Sequence, residues 1–308
     1  SVVAASEAGS LRRRRETIGD IDIVVLTTNP ASTIEAFVHL PQVMEVIETG
    51  QSMSAVRTRA GLRIDLRIAT EECYGAMLHH FTGGKQHNIK LRGLARDRGL
   101  TVNEYGILEV DTGRTVLTGR NEEEIYSALG MPWIPPELRE DRGEVEAALE
   151  GRLPRLVERS DIRGDLHMHT RSSDGGNTVE EMALAAREMG YLYLGICDHS
   201  KSLKVAHGLD EERILRQADE IAELNRRLDG IRVLAGVEVD ILEDGRLDID
   251  HEVLRRLDLV VASIHEYHRQ DRETMTARIV SAIETGLVDI LAHPTGRRIG
   301  RFEPMEVD

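Results

Sequence analysis

The chain has 308 residues, 41% of them hydrophobic and 30% charged, enough to bury more than one core and too apolar for wholesale disorder. Its formal net charge of −15 argues against a protein that coats nucleic acid by bulk electrostatics, although arginines gather at Arg12, Arg13, Arg14 and Arg15, and further cations at Lys85, Lys90, Arg92, Arg96 and Arg98. No run approaches the roughly 18 apolar residues of a membrane helix, and the only two cysteines, Cys73 and Cys197, fall in separate regions, so a cytoplasmic chain with reduced thiols and no membrane partner is expected.

Taken from the N-terminus, apolar runs with alternating acidic positions at 21–26 and 62–68 predict two strands of a small mixed sheet. Asp20 and Asp22 share one face of the first strand. If the second lies beside it, Asp65 joins them in a three-carboxylate nest for two Mg²⁺ ions. On spacing alone, an exposed polar strand edge explains Asp-x-Asp equally well. Residues 71–99 read as two helices interrupted at Phe81-Thr82-Gly83-Gly84, with Gly99 as a C-cap. Four prolines (Pro132, Pro135, Pro136, Pro154), many charges and no strand pattern mark 131–163 as a linker.

Beyond Arg163 the rhythm becomes strand then helix. Strands are expected at 165–169, 191–197, 231–239, 257–264 and 288–292, with helices such as 179–189 and 211–228 between them, which is the pattern of a parallel sheet or barrel. His167 and His169, two apart on a strand, project to one face. Asp174 follows in a polar loop, Asp198 and His199 come directly after the second strand, Glu238 interrupts an apolar run, and His265 and His293 each end a strand. In β/α barrels that rim carries the active site. Imidazoles and carboxylates suit Zn²⁺ or Mn²⁺, and a buried Glu238 needs compensating positive charge. His207, His251 and His268 fall outside this pattern and read as ordinary surface or structural histidines.

These segments resemble two known families. Asp165-Leu166-His167-Met168-His169-Thr170, Cys197-Asp198-His199-Ser200, Gly236-Val237-Glu238, Ser263-Ile264-His265 and Ala292-His293-Pro294 resemble the successive ligand motifs of PHP phosphoesterases across 164–308. The resemblance implies a distorted barrel holding up to three Zn²⁺ or Mn²⁺ ions, with His167, His169, Asp174, His199, Glu238, His265 and His293 as ligands. The Asp-x-His with which that family closes its site is not found before Asp308, so the barrel is expected to be incomplete.

In the first half, Gly9-Ser10-Leu11-Arg12-Arg13 with Gly19-Asp20-Ile21-Asp22 resembles the palm motif of X-family DNA polymerases. Phe81-Thr82-Gly83-Gly84 with Asn88, Arg92 and Thr101-Val102-Asn103-Glu104-Tyr105 resembles their thumb, and Ile134-Pro135-Pro136-Glu137-Leu138 the junction to a PHP domain in bacterial members. The implied fold is a multidomain α/β chain: an α+β nucleotidyltransferase palm (1–70) that starts without the family's N-terminal DNA-gripping region, a thumb (71–130), the linker (131–163), and an incomplete PHP-type (β/α) barrel (164–308).

The implied activity is gap-filling repair synthesis on gapped or primer-template DNA from dNTPs, joined to a metal-dependent 3′-5′ exonuclease or phosphoesterase. Asp20, Asp22 and Asp65 would hold Mg²⁺, with Asp65 placed to activate the primer hydroxyl. Ser10 and Arg13 would bind triphosphate oxygens, the backbone at Gly83 the nucleotide sugar, Asn88 the base edge and Arg92 the template side. Arg14 stands where DNA polymerase beta has glycine. The competing expectations are a small-molecule phosphatase of the histidinol-phosphatase kind fused to an unrelated domain, and a non-enzymatic DNA-binding scaffold.

Overall fold

The structure is a computed structural model that describes residues 1–308. It divides into two compact units, Ser1–Arg155 and Leu156–Asp308, and no helix is long and apolar enough to cross a membrane.

The first unit opens with β1 (Val2–Glu7), the short α1 (Gly9–Arg12), β2 (Asp20–Thr27), α2 (Pro30–Val38), β3 (Val43–Thr49), β4 (Met53–Thr58) and β5 (Arg63–Ala69). They build a five-stranded sheet of order β1-β2-β5-β4-β3, parallel only between β2 and β5. The period of two sorts β2 and β5 between two cores. Val25, Leu66 and Ile68 pack with Ile34 and Phe37 of α2, whereas Val24 and Ala69 pack with Met77 and Leu78 of the following helix.

That helix, α3 (Tyr74–Thr82), is followed by α4 (Lys85–Arg96), the three-stranded sheet β6 (Leu100–Asn103), β7 (Gly106–Glu109) and β8 (Thr115–Leu117), α5 (Glu122–Ala128) and α6 (Glu144–Leu149). The break between α3 and α4 falls at Gly83, as its sequence predicts. A Cβ there would collide with Oδ1 of Asn88, so a side chain at 83 would force Asn88 to move.

Residues 131–155 are not the expected linker. Met131, Ile134, Val145 and Ala148 are buried in one core with Ala76, Leu91, Ile107 and Tyr126, and the first compact unit extends to Arg155. Prolines and charges suggested a solvated tether, but the charges are spent on distant partners. Arg139, wholly buried, donates from Nη1 to Oε1 of Glu122 (2.6 Å) and from Nε to the Ile134 carbonyl (2.8 Å), and Glu144 lies 2.7 Å from Nδ1 of His87.

The second unit alternates strand and helix: β9 (Gly164–Met168), α7 (Val179–Glu188), β10 (Tyr193–Ile196), α8 (Glu211–Arg227), β11 (Arg232–Asp240), α9 (His251–Leu254), β12 (Leu259–Ser263), α10 (Arg272–Glu284) and β13 (Ile290–Leu291). Side chains of Thr178, Asp210 and Asp271 cap α7, α8 and α10. All five strands are parallel and neighbour one another in sequence order, the arrangement of an opened (β/α) barrel. Consequently every strand-to-helix loop leaves the same edge of the sheet.

Candidate active sites

In the first unit, β2 and β5 run side by side in a register that sets Asp22 opposite Asp65 and Asp20 opposite Arg63. All four project to the α3 side of the sheet, because they share strand parity with Val24 and Ala69. The helix α1 closes in from above. Gly9 has φ +57°, and a Cβ on it would collide with Oδ2 of Asp22, so only glycine lets this backbone approach the carboxylate.

Burial first, and then the negative charges of Asp20 and Asp65, push the Asp22 carboxyl up to about 6, against a smaller downward pull from Arg67 and Arg13. Asp65 is held by Arg63, whose Nε and Nη2 donate to it at 3.0–3.1 Å. Three carboxylates of which one titrates near 6 make a set that a divalent cation would relieve.

Around this nest the other expected residues divide. Arg13 donates to the Thr82 carbonyl (2.7 Å) and to Glu140 (2.8 Å), which ties it to the turn that contains Gly83. Ser10 lies half-buried in α1. Asn88 is turned inward, donating from Nδ2 to the His80 carbonyl (2.8 Å), and only 8% of it is exposed, rather than projecting as a base-edge contact would. Arg92, one helical turn further along α4, is exposed. Arg14 has φ +56°, in the left-handed region that glycine adopts most readily.

One cluster escaped the sequence reading. Glu122 accepts from Arg12 (2.9 and 2.7 Å), Arg139 (2.6 Å) and the Trp133 indole (3.1 Å). Burial opposes its ionisation, but the bonds from Arg12 and Arg139 hold the carboxyl at about 2. Arg12 also donates to Oγ1 of Thr82 (2.7 Å), so this cluster anchors α1 beside the carboxylates. Arg12 and Glu122 lie 110 residues apart, and no local pattern signals the cluster.

In the second unit the loops converge on Glu238, inside β11 and 2% exposed. Its Oε2 lies 2.8 Å from His199 Nδ1, 3.3 Å from His167 Nε2 and 3.5 Å from His169 Nε2, and its Oε1 lies 3.0 Å from His293 Nε2 and 3.5 Å from His265 Nε2. Asp174, exposed, reaches within 3.8 Å of His169 and 3.6 Å of His199. All seven expected ligands therefore meet. Burial would raise the Glu238 carboxyl, yet the imidazoles of His167, His199 and His293 hold it far below the usual carboxylate range. Burial lowers His169, while for His199 it is outweighed by the close Glu238 carboxylate, with Asp174 and Asp240 adding, and the pKa is raised.

Several of these atoms are buried without a hydrogen-bond partner: Nε2 of His167, Nδ1 of His169, Nδ1 of His199 and Oε2 of Glu238. His199 Nδ1 and Glu238 Oε2 approach to 2.8 Å without the alignment of a hydrogen bond. Donors crowded without bonding suit metal ions. Three overlapping trios, His167–His169–Glu238, His169–Asp174–His199 and His199–Glu238–His265, each keep one donor atom per residue within 4.8 Å of the others. His293 has φ +29°, a strain for a non-glycine residue that brings its ring to Glu238.

Asp198 is not part of this ring. It accepts from Thr170 N and Oγ1, Ser173 Oγ and Gln217 Nε2 at 2.6–2.7 Å, which braces the loops after β9 and β10. Asp240, which the sequence did not single out, orients His265 through a 2.9 Å contact to Nδ1.

Residues 77–140 match the DNA polymerase beta thumb family and residues 165–303 the PHP domain family. The whole chain is 45% identical to the DNA polymerase/3′-5′ exonuclease PolX of Bacillus subtilis, covering 54% of that protein. About 42% of the chain is 37% identical to a probable phosphatase of Acetivibrio thermocellus and 34% identical to one of a Thermoanaerobacter species, 53% of each relative being covered. The chain thus spans about half the length of the curated relatives it matches. The chain joins a segment like the DNA polymerase beta thumb to a PHP domain, and along its whole length it is similar to a protein named as a DNA polymerase and 3′-5′ exonuclease.

Proposed function

We propose that the first unit carries out template-directed nucleotidyl transfer, filling gaps in DNA from dNTPs, and that the second hydrolyses phosphodiesters at DNA 3′ ends, both in the cytoplasm. The observation that carries this reading is the union, in a chain 45% identical along its length to a DNA polymerase/3′-5′ exonuclease, of the Asp22–Asp65 pair with the imidazole ring around Glu238. Divalent cations, Mg²⁺ in the first unit and up to three Mn²⁺ or Zn²⁺ ions in the second, would supply Lewis acidity at the phosphoryl oxygens.

The chain's own groups do the rest. In the palm, 1–70, Asp20, Asp22 and Asp65 hold the cations and Asp65 takes the primer hydroxyl proton. Ser10 and Arg13 bind triphosphate oxygens, Arg13 leaving Glu140 to do so. In the thumb, which takes in the segment up to Arg155, the Gly83 backbone packs against the sugar. Asn88 must rotate away from the His80 carbonyl to meet a base, and Arg92 faces the template. In the second unit His167, His169, Asp174, His199, Glu238, His265 and His293 would hold the cations.

Asp65→Ala should abolish primer extension and leave Mn²⁺-dependent release of 3′ nucleotides, and His169→Ala should do the reverse. Loss of both activities from either change would refute separate sites. A second reading, that the unit around Glu238 acts on small phosphomonoesters, is favoured by the probable phosphatases that match only this part of the chain. Turnover of a phosphomonoester without release of nucleotides from DNA would establish it.

A further inference from the structure

Beside the Glu238 centre lies a cavity of about 650 Å³, bounded by 267–270 on one side and 301–306 on the other. The first wall continues the loop after β12 that holds His265, and the second continues the loop after β13 that holds His293. His268 joins the two walls: its Nε2 lies 2.9 Å from the His265 carbonyl oxygen and its Nδ1 3.5 Å from Sδ of the buried Met305. Met305 in turn donates its N–H to the Thr295 carbonyl (2.7 Å), and Arg298 and Phe302 exchange backbone bonds, which fixes the second wall.

The cavity presents aromatic rings to solvent in a chain that has few. Of its 3 phenylalanines, 6 tyrosines and 1 tryptophan, Tyr267 and Phe302 stand here, 55% and 49% exposed. The His268 ring stacks on Phe302 with centroids 6.4 Å apart and 26° between planes. Tyr267 is held in the left-handed region, φ +58°, with its carbonyl bonded by Arg278. Charges at the cavity balance, Arg269 and Arg301 against Glu303 and Glu306, so it does not suit a free anion. Neutral overall and walled by exposed rings, it suits a flat aromatic ligand.

We propose that this cavity is a nucleobase subsite, in which Phe302 and Tyr267 stack on a base at the 3′ end of a single-stranded nucleic acid while the adjoining phosphate lies toward His265 and His293. The inference rests on the phosphodiesterase reading of the Glu238 centre. It adds what that reading lacks, a means of telling a polynucleotide end from a small phosphate ester.

The test uses the full chain and a short single-stranded oligonucleotide with 2-aminopurine at its 3′ end, whose fluorescence is quenched by stacking. In EDTA the wild type should quench it, and Phe302→Ala and Tyr267→Asn should bind roughly 5- to 100-fold more weakly with the quenching lost. Asparagine accepts the left-handed backbone at 267. Phe302→Trp should retain both binding and quenching, which separates loss of the ring from loss of the fold. With Mn²⁺, the KM for release of 3′ nucleotides relative to that for p-nitrophenyl phosphate should rise in Phe302→Ala and recover in Phe302→Trp. Unchanged binding and quenching in the alanine and asparagine variants, or their loss in Phe302→Trp, would overturn the subsite even if nucleotides are released. Ring-dependent quenching with no release of nucleotides would instead overturn the phosphodiesterase reading and leave the subsite standing.

Discussion

Asp22 and Asp65 face each other across the only parallel pair of strands in the first sheet, with the Gly9 backbone pressed onto Asp22 and the Arg63 guanidinium clamped on Asp65. Each approach has a separable consequence. The Asp65 charge is one of the causes that raise Asp22 to about 6, after burial and Asp20. Asp65→Asn should therefore lower the Asp22 pKa, measurable by carboxyl-carbon NMR titration. Mg²⁺ affinity of the wild type should fall as the pH drops below about 6, where Asp22 takes up a proton.

Gly9→Ala puts a Cβ into Oδ2 of Asp22 and strains a backbone at φ +57°. Displacing α1 by even an ångström should cost on the order of 100-fold in kcat/KM for primer extension. Release of nucleotides by the second unit serves as the internal control for fold and concentration.

How far these sites can be read from sequence depends on range. The pairs Asp20/Asp22 and His167/His169 were legible because a strand repeats every two residues, so identity and spacing alone put both members on one face. The strand-to-helix rhythm of the second unit likewise announced a common rim, and the seven expected ligands meet there. Strand β3 was missed because almost all of it is exposed, with Glu45 and Glu48 breaking any apolar alternation. The supposed linker was missed because Arg139 and Glu144 look solvated until their partners, Glu122 and His87, arrive from elsewhere in the chain. Asn88 lies in the segment that matches the thumb, and the hydrogen bond that turns its amide onto the His80 carbonyl has no sequence signature.

That hidden network is itself testable. Glu122→Gln leaves the fully buried Arg139 and the partly buried Arg12 without their counter-charge. The expected loss is about 3–5 kcal/mol in stability. Trp133, the single tryptophan, bonds Glu122 and packs on this core, so its fluorescence during urea unfolding reports the first unit specifically.

The same probe should reveal a pH dependence. Burial lowers His79 to about 3, and His87 is shifted in the same direction, chiefly by burial. The folded-state pKa lies below the unfolded value of about 6.5, so the unfolded chain binds more protons between the two. Stability is complete above pH 6.5 and falls as the pH drops toward 3, by about 1.4 kcal/mol per unit for His79. Urea midpoints by Trp133 fluorescence should decline from pH 7 to pH 5, and an unchanged midpoint would rule the burial effect out.

For the second unit, Mn²⁺ should raise the unfolding temperature, since cations bind the folded ring of imidazoles and not the dispersed side chains. At 100 times the dissociation constant the gain is about 2.7 kcal/mol. Glu238→Gln should remove most of it, because every trio but His169–Asp174–His199 uses Glu238. Differential scanning calorimetry with and without Mn²⁺ measures the difference.

The account depends most on cations being captured at both places, and anomalous diffraction from crystals grown with Mn²⁺ locates them directly. It predicts peaks roughly 2.0–2.3 Å from the donor atoms of Glu238, His199 and their neighbours, and a further peak between the Asp22 and Asp65 carboxylates. Well-ordered maps with no anomalous density at either position, at Mn²⁺ concentrations that support activity, would contradict it.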